Sequence, residues 1–266
     1  MDRSILRMGG VLKLVTWNVN GIRAISKKGF LEYIEREDAD FYCLQETKAH
    51  PEQLDEQLIH LPHRTSYWSS ALRRGYSGTV TYLREKPQSV HYGIDVRRFD
   101  SEGRFVITEH PSFSLYNVYF PNGSSCEERH LFKQQFLEKF RRHLVKKLKE
   151  GRELIVVGDY NVAYRDIDVY DPIRLSKASG FLPEEREWFG RFLDSGFVDV
   201  FAHFYPHQKD NYTWWSYREN ARIANRGWRI DHICLSRGLL NRVQSIEIQN
   251  EQHGSDHCPV VLELET

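Results

Sequence analysis

Two apolar runs from distant parts of the chain end in the same way. Val11 to Trp17 (VLKLVTW) stops abruptly at Asn18-Val19-Asn20-Gly21, and Leu154 to Gly158 (LIVVG) runs into Asp159-Tyr160-Asn161. A short continuous apolar run closed by polar turn formers reads as a buried strand opening into a loop. Further strands read at Phe41 to Leu44, Thr79 to Leu83, Arg104 to Thr108, Ser114 to Phe120, Phe197 to Phe201, Arg229 to Leu235 and Cys258 to Leu264. Helices are few. They read at 22 to 36, in a short segment from Pro51 with Leu54, Leu58 and Leu61 at helical spacing, around Pro183 to Leu193, and most clearly over 127 to 150. The last carries an apolar stripe of Leu131, Phe132, Phe136, Leu137, Phe140, Leu144, Val145 and Leu148. Opposite lie Arg141, Arg142, Lys146, Lys147 and Lys149, which read as a solvated face. Many short half-buried strands need a facing apolar layer, so the order predicts an α/β fold: two sheets packed face to face with helices outside.

With 266 residues, 40% hydrophobic and 28% charged, and only 9 Pro and 17 Gly, the chain has material for one large core and no visible linker. One domain over 11–266 is expected, after a short tail at 1–10. No apolar run approaches the roughly 20 residues that span a bilayer, and the tail has no apolar signal-peptide core. Cys43, Cys126, Cys234 and Cys258 are scattered without a C-x-x-C pair, the usage of thiols in a reducing compartment rather than of a zinc site. The expectation is a monomeric intracellular protein of the cytoplasm, off the membrane. Lys and Arg number 37 against 37 Asp and Glu. Zero net charge argues against a simple nucleic-acid coat protein and leaves room for a local basic face.

Strand ends are where a rigid scaffold presents polar groups, and here they carry Asn18, Asn20, Glu46, Tyr119, Asn122, Asp159, Asn161, Asp231, Asp256 and His257. All are oxygen or imidazole donors. Carboxylates and amides without thiolates suit a hard cation such as Mg²⁺ or Mn²⁺, which can neutralise and polarise a phosphodiester oxygen. One Asp or Asn after a strand is a routine turn former; recurrence is what points to phosphoryl chemistry. His257, in Gly254-Ser-Asp-His-Cys-Pro259, is placed for a carboxylate to fix its tautomer while its other nitrogen faces a phosphate. His232 follows Asp231 on a strand and so points to the opposite face. Tyr212-Thr-Trp-Trp-Ser-Tyr217, followed by Arg218, Arg222, Arg226, Trp228 and Arg229, interleaves aromatics with cations. It reads equally as a surface embracing a nucleotide or as an aromatic core corner with an arginine rim.

With these residues in view, the chain resembles the exonuclease III and apurinic/apyrimidinic endonuclease family, within the endonuclease/exonuclease/phosphatase superfamily, over about residues 11 to 265. The blocks are TWNVNGIRA (16–24), LQETK (44–48), GYSGT (75–79), VYFPNG (118–123), VVGDYNVA (156–163), GFLPEER (180–186), YTWWSY (212–217), GWRIDHICLS (227–236) and GSDHCP (254–259), in the family's order. The resemblance implies a four-layer α/β sandwich with two mainly antiparallel, mixed sheets. It implies a Mg²⁺- or Mn²⁺-dependent hydrolase that cuts double-stranded DNA 5′ of an abasic site and also trims blocked 3′ ends. By motif, Glu46 is the principal metal ligand, with Asn20 and Asp256 near the ion. Asp159 activates the attacking water with help from Asn161, while His257, held by Asp231, acts with Tyr119 and Asn18 on the scissile phosphate. Trp214, Trp228 and Ile230 wall the pocket for the extruded sugar, and Asn122, Arg23, Lys28 and Tyr76 contact the substrate. Position 20 is Asn where several relatives have Asp, which removes a negative charge from the metal site. The loop Arg165 to Lys177 follows no single family pattern. A superfamily phosphodiesterase acting on lipid head groups or inositol phosphates is set apart by the Trp and Arg segment and the GYSG loop.

Overall fold

Side chains along the first apolar run alternate between two different apolar layers. Leu12 and Leu14 pack with Leu115, Ile155, Val157 and Ile233 in one core, whereas Val15 and Trp17 pack with Ile22, Tyr33 and Leu44 in another. The second run splits likewise: Ile155 and Val157 join the shared core, and Leu154 and Val156 face Phe136, Phe140 and Trp188. Each strand is thus buried on both faces, once against the opposite sheet and once against helices. The result is a four-layer α/β sandwich.

The computed structural model describes residues 10–265. Its first half runs β1 (Val11–Asn18), α1 (Ile22–Ile25), α2 (Phe30–Glu37), β2 (Phe41–Gln45), α3 (Glu56–Ile59), β3 (Thr65–Ser69), β4 (Thr79–Leu83), β5 (Ser89–His91), α4 (Arg97–Asp100), β6 (Phe105–Glu109) and β7 (Ser114–Tyr119). The second runs α5 (Glu127–Lys149), β8 (Leu154–Asp159), α6 (Pro172–Leu175), α7 (Pro183–Asp194), β9 (Phe197–Asp199), α8 (Val200–Phe204), β10 (Asp231–Ser236), β11 (Val243–Ile248) and β12 (Val260–Glu265). The expected tail at 1–10 lies outside the described residues apart from Gly10. Among the described residues no helix is long and apolar enough to cross a membrane.

The strand order is β11-β12-β1-β2-β4-β3 in one sheet and β5-β6-β7-β8-β10-β9 in the other. β1 pairs in parallel with β2 and antiparallel with β12. β8 repeats this, parallel to β7 and antiparallel to β10. An antiparallel neighbour starts where its partner ends, so the beginnings of β10 and β12 reach the edge at which β1, β2, β7 and β8 finish. Residues from six strands meet there. Close approach beside Asp159 depends on Gly158 (φ 139°), where a Cβ would lie 1.9 Å from the Val118 carbonyl oxygen.

Several expectations are corrected. The helix expected over 22 to 36 is two helices, broken at Gly29 with φ 85°. The strand read to Phe201 stops at Asp199, whose carboxylate caps α8 by accepting the Ala202 N–H at 3.3 Å. β3, β5 and β11 escaped the sequence reading, and all three are edge strands. An edge is paired on one side only and needs no strong apolar pattern. On α5, Leu131 of the expected stripe is 52% exposed, and Lys133 is fully buried instead.

Candidate active site

The recurrent polar-x-Asn ending is one local structure used twice. The Asn20 N–H donates to Asn18 Oδ1 at 2.9 Å, and the Asn161 N–H donates to Asp159 Oδ1 at 2.8 Å. Both are Asx turns that hold the second asparagine at positive φ, 47° at Asn20 and 51° at Asn161. Glu46 (58°) and Lys48 (53°) after β2 are also left-handed. Each such non-glycine residue costs on the order of 1–3 kcal/mol, a strain that clusters at ligand and catalytic sites.

The two turns touch. Asn18 Nδ2 donates to Glu46 Oε2 at 3.0 Å and to Asp159 Oδ2 at 2.9 Å. Both amide hydrogens of Asn18 are therefore committed to carboxylates, which suits orienting Asp159 rather than gripping a phosphate. Asp159 also receives Asn161 Nδ2 at 3.3 Å. The Asn161 amide further donates to the Phe120 carbonyl oxygen at 2.9 Å and accepts from Asn122 Nδ2 at 3.1 Å. Burial first, and then Asp231, raise the Asp159 carboxyl above the usual range, with His257 pulling it back.

His257 Nδ1 lies 2.8 Å from Asp231 Oδ2, and its Nε2 lies 3.9 Å from Asp159 Oδ2. Burial alone would strip its proton, but Asp231, joined by Asp159 and Asp256, outweighs burial and lifts the imidazole to about 10. His257 is then a buried cation with Nε2 facing the site. Atoms of Asp159, Asp231 and His257 lie within 4.8 Å of one another, close enough to hold a metal. A metal held there would have to displace the His257 proton, since a protonated imidazole has no lone pair to give. Tyr119, at the end of β7, keeps its phenolic proton. Burial raises its pKa well above the ordinary value, and Glu46 and Asp159 raise it further.

A cation position lies on the other side of Asn18. Lys48 Nζ sits 2.9 Å from Glu46 Oε1 and 2.5 Å from Asn20 Oδ1. Asn20 Nδ2 donates to Asp256 Oδ1 at 2.9 Å. Four carboxyl groups, those of Glu46, Asp159, Asp231 and Asp256, gather around His257 and Lys48 and outnumber them. An all-oxygen donor set with that excess, and an ammonium already lodged in it, fits a hard divalent ion.

An apolar cluster adjoins these groups, formed by the buried side chains of Ala163, Val169, Phe181, Trp228 and Ile230, with the partly buried Trp214 packed against them. The Trp214 ring is 6.2 Å from that of Trp228 and 6.3 Å from that of His257. Trp214 Nε1 donates to Asp256 Oδ2 at 3.1 Å, tying the apolar cluster to the acidic one.

The sequence profile of the endonuclease/exonuclease/phosphatase family matches residues 15–257. The chain belongs to this family. It is 42% identical over 254 residues to an exodeoxyribonuclease of Bacillus subtilis, covering 94% of this chain and 98% of that one. It is 40% identical over 255 residues to the DNA repair nuclease APEX1 of Danio rerio, covering 95% and 82%. Among solved structures it superposes on an AP endonuclease from Archaeoglobus fulgidus with a TM-score of 0.87 and 28% identity, covering 96% and 100% of the two chains.

Within this family member, Asn18, Asn20, Glu46, Asn122, Asp159, Asn161 and Asp256 join one hydrogen-bonded cluster, the hydrogen-bonded His257–Asp231 pair approaches it at 3.9 Å, and Trp214, Trp228 and Ile230 pack together in the adjoining apolar cluster. Tyr119 stands beside it, its carbonyl held by Arg104 Nη1 at 2.9 Å. Arg23, Lys28 and Tyr76 lie outside the cluster. Arg23 is exposed, and Lys28 Nζ donates to the Gly254 carbonyl oxygen at 3.2 Å. The Tyr76 hydroxyl accepts from Arg104 at 2.9 Å and Arg129 at 3.0 Å. His232 faces away from Asp231, with its Nε2 2.8 Å from the Val162 carbonyl oxygen. In the aromatic segment, Arg222 covers buried Trp215 at 4.4 Å and Arg229 is buried with Asp168 and Asp199, so these are core. The Asp168 contact anchors the atypical 165–177 loop. Sequence reasoning missed Lys48, although it lies in the quoted LQETK block, and it missed Phe181, Val169 and Ala163 of the apolar cluster.

Proposed function

We propose that this protein is a divalent-metal-dependent DNA repair nuclease. It hydrolyses the phosphodiester 5′ of an abasic site in duplex DNA, leaves a 3′-hydroxyl, and trims blocked 3′ ends. The reading is carried by the contact between a tryptophan-containing apolar cluster and the carboxylates gathered around the buried His257. An abasic residue lacks stacking and pairing, so extruding it costs little, and an apolar pocket too small for a base selects it. The DNA repair nuclease APEX1 of Danio rerio and a 3′-5′ exonuclease from Neisseria meningitidis, the latter at 26% identity, support both activities.

In this reading Asp159 takes the proton of the attacking water, and Asn18 and Asn161 fix the direction of its lone pairs. The protonated Nε2 of His257, held in orientation by Asp231, donates to the scissile phosphate as negative charge builds there, with the Tyr119 hydroxyl as a second donor. A divalent ion, Mg²⁺ or Mn²⁺, held by Glu46 with Asn20 and Asp256 beside it, would neutralise and polarise a phosphodiester oxygen. Arg23, Lys28 and Tyr76 meet the DNA backbone on either side, and Asn122 helps to seat the substrate.

The test is a gel assay of purified protein on duplexes carrying one abasic analogue, a 3′-blocked nick, or neither, with Mg²⁺ or with EDTA. A single metal-dependent nick 5′ of the lesion is expected, together with release of the 3′ block. Cleavage of the intact duplex as fast as the abasic one, or full activity in EDTA, refutes the reading.

A further inference from the structure

Beneath the Asn161 turn lies an ion pair with no obvious reason to be buried. Lys133 on α5 and Glu185 on α7 are both fully buried and paired with each other. A lysine taken into the interior costs several kcal/mol unless its partners are well placed. On the same helix Leu131, which could have been buried cheaply, is left exposed. Two apolar side chains would join α5 to α7 at least as firmly, so stability alone does not account for the pair.

Its contacts do. Lys133 Nζ donates to the main-chain oxygen of Asn161 at 2.8 Å, pinning from below the residue whose N–H and side chain orient Asp159 from above. The second oxygen of Glu185 accepts the Gly180 N–H at 2.6 Å and the Leu182 N–H at 3.1 Å, fixing the backbone on both sides of Phe181 in the apolar cluster. Gly180 closes the circuit. Its carbonyl accepts the Ala163 N–H at 2.7 Å, and a Cβ on it would lie 3.1 Å from the Asn161 oxygen and 3.3 Å from the Trp228 ring. Burial lowers the affinity of Lys133 for its proton, and Glu185 offsets only part of that loss.

We propose that Lys133 and Glu185 are positioning residues that lock the left-handed Asn161 turn to the Gly180–Leu182 segment, so that one buried pair sets the aim of Asp159 and the shape of the lesion pocket together. The proposal rests on the nuclease reading above. It identifies a directional role for the pair: an ammonium aimed at one carbonyl and a carboxylate aimed at two N–H groups.

The decisive variant neutralises both partners at once, Lys133→Met with Glu185→Gln, so that no unpaired charge is left buried. It is compared with Lys133→Arg, with Asn161→Ala, and with the three changes combined. Misplacing a reacting group by about 1 Å costs on the order of a hundredfold. The neutral pair should therefore lose about 100-fold in kcat on an abasic duplex while KM moves less than about threefold and Tm holds. Lys133→Arg should recover at least a tenth of native kcat. In the Asn161→Ala background, which keeps the carbonyl bound by Lys133 but removes the side-chain hold on Asp159, neutralising the pair should cost less than about threefold more, because Asp159 is already mis-aimed. Native kcat in the neutral pair overturns the proposal, as does a full additional loss in the Asn161→Ala background. A readout without substrate separates this proposal from the functional one. Amide hydrogen exchange at Asn161 and Ala163 should speed up at least tenfold in the neutral pair. Unchanged exchange sinks the positioning role whatever the enzyme cuts, whereas faster exchange in a protein that nicks no abasic duplex sinks only the nuclease reading.

Discussion

Replacing Asp231 with Asn removes the charge that keeps His257 protonated while leaving the shape of the site nearly intact. Asp231 Oδ2 lies 2.8 Å from His257 Nδ1, and both residues are almost wholly buried. At an effective dielectric constant of 20, opposite charges at that separation attract by roughly 6 kcal/mol. An Asn side chain returns about 1 kcal/mol as a neutral hydrogen bond. The remaining 4–5 kcal/mol falls in the range of about 3–5 kcal/mol lost when one partner of a buried pair is removed. At about 1.4 kcal/mol per tenfold change, the proton affinity of His257 drops by about three decades. Native His257, held up near 10, keeps its charge through neutral pH and loses it only as pH rises through that value. In Asp231→Asn that alkaline limb moves down to neutral pH. We expect kcat on an abasic duplex to fall by less than about tenfold at pH 7.5 and by about a hundredfold at pH 9, with KM nearly unchanged. The assay is single-turnover nicking across pH 5 to 10, with imidazole ¹⁵N shifts reading the His257 proton directly. A histidine that stays fully protonated at pH 9 in the variant, or a profile that drops uniformly without moving its limb, refutes the role given to Asp231.

Glu46→Gln removes one carboxylate from the cation position, and calorimetric titration should show Mn²⁺ affinity reduced at least tenfold, with activity partly restored at high metal; unchanged affinity would move the ion elsewhere. Asn20→Asp replaces an amide that donates to Asp256 at 2.9 Å with a second carboxylate. That places roughly 6 kcal/mol of repulsion there before solvent screening, so the variant should bind Mn²⁺ at least tenfold more tightly and melt lower in EDTA. Equal Mn²⁺ binding by the two proteins would count against that site. Trp228→Leu trims the apolar cluster, and the ratio of kcat/KM for abasic over intact duplex should fall at least tenfold; a preserved ratio would place lesion selection outside this cluster.

What could be read from the sequence was whatever is encoded over a few residues. The apolar runs ending in Asn18-Val19-Asn20 and Asp159-Tyr160-Asn161 name both the strand and its Asx turn, because the turn is made by a side chain and an N–H two residues apart. Helix α5 was legible in extent but not in its facing. Helical period assigns Leu131 to the core and Lys133 to solvent, and the pull of Glu185 and the Asn161 carbonyl, far away in sequence, reverses the choice. Pairings such as His257 with Asp231 join residues on β10 and the loop before β12, which touch only because of sheet topology. Motif resemblance supplied them where spacing could not. Lys48 was overlooked because a lysine after a strand looks like a solvated residue, and only the folded chain brings its ammonium to Glu46 and Asn20.

The two sheets share one frame, so the chemistry must come from where the halves differ. β1 and β8 occupy equivalent central positions, each with a parallel neighbour on one side and an antiparallel one on the other, and each ends in the same turn. At the first residue of that turn one half has an amide, Asn18, and the other a carboxylate, Asp159. The asymmetry has an electrostatic basis. A carboxylate at position 18 would sit within 3.0 Å of both Glu46 and Asp159 with no hydrogen to offer either. Three anions would then share one small volume, and at least one would take up a proton. The amide instead donates one hydrogen to each neighbour, holding two carboxylates close without merging them. Glu46 is left on the side of Lys48, Asn20 and Asp256, and Asp159 on the side of His257. Under the proposed mechanism, a symmetric frame with one neutral residue at its centre thus separates a metal side from a base side, which neither half could do alone.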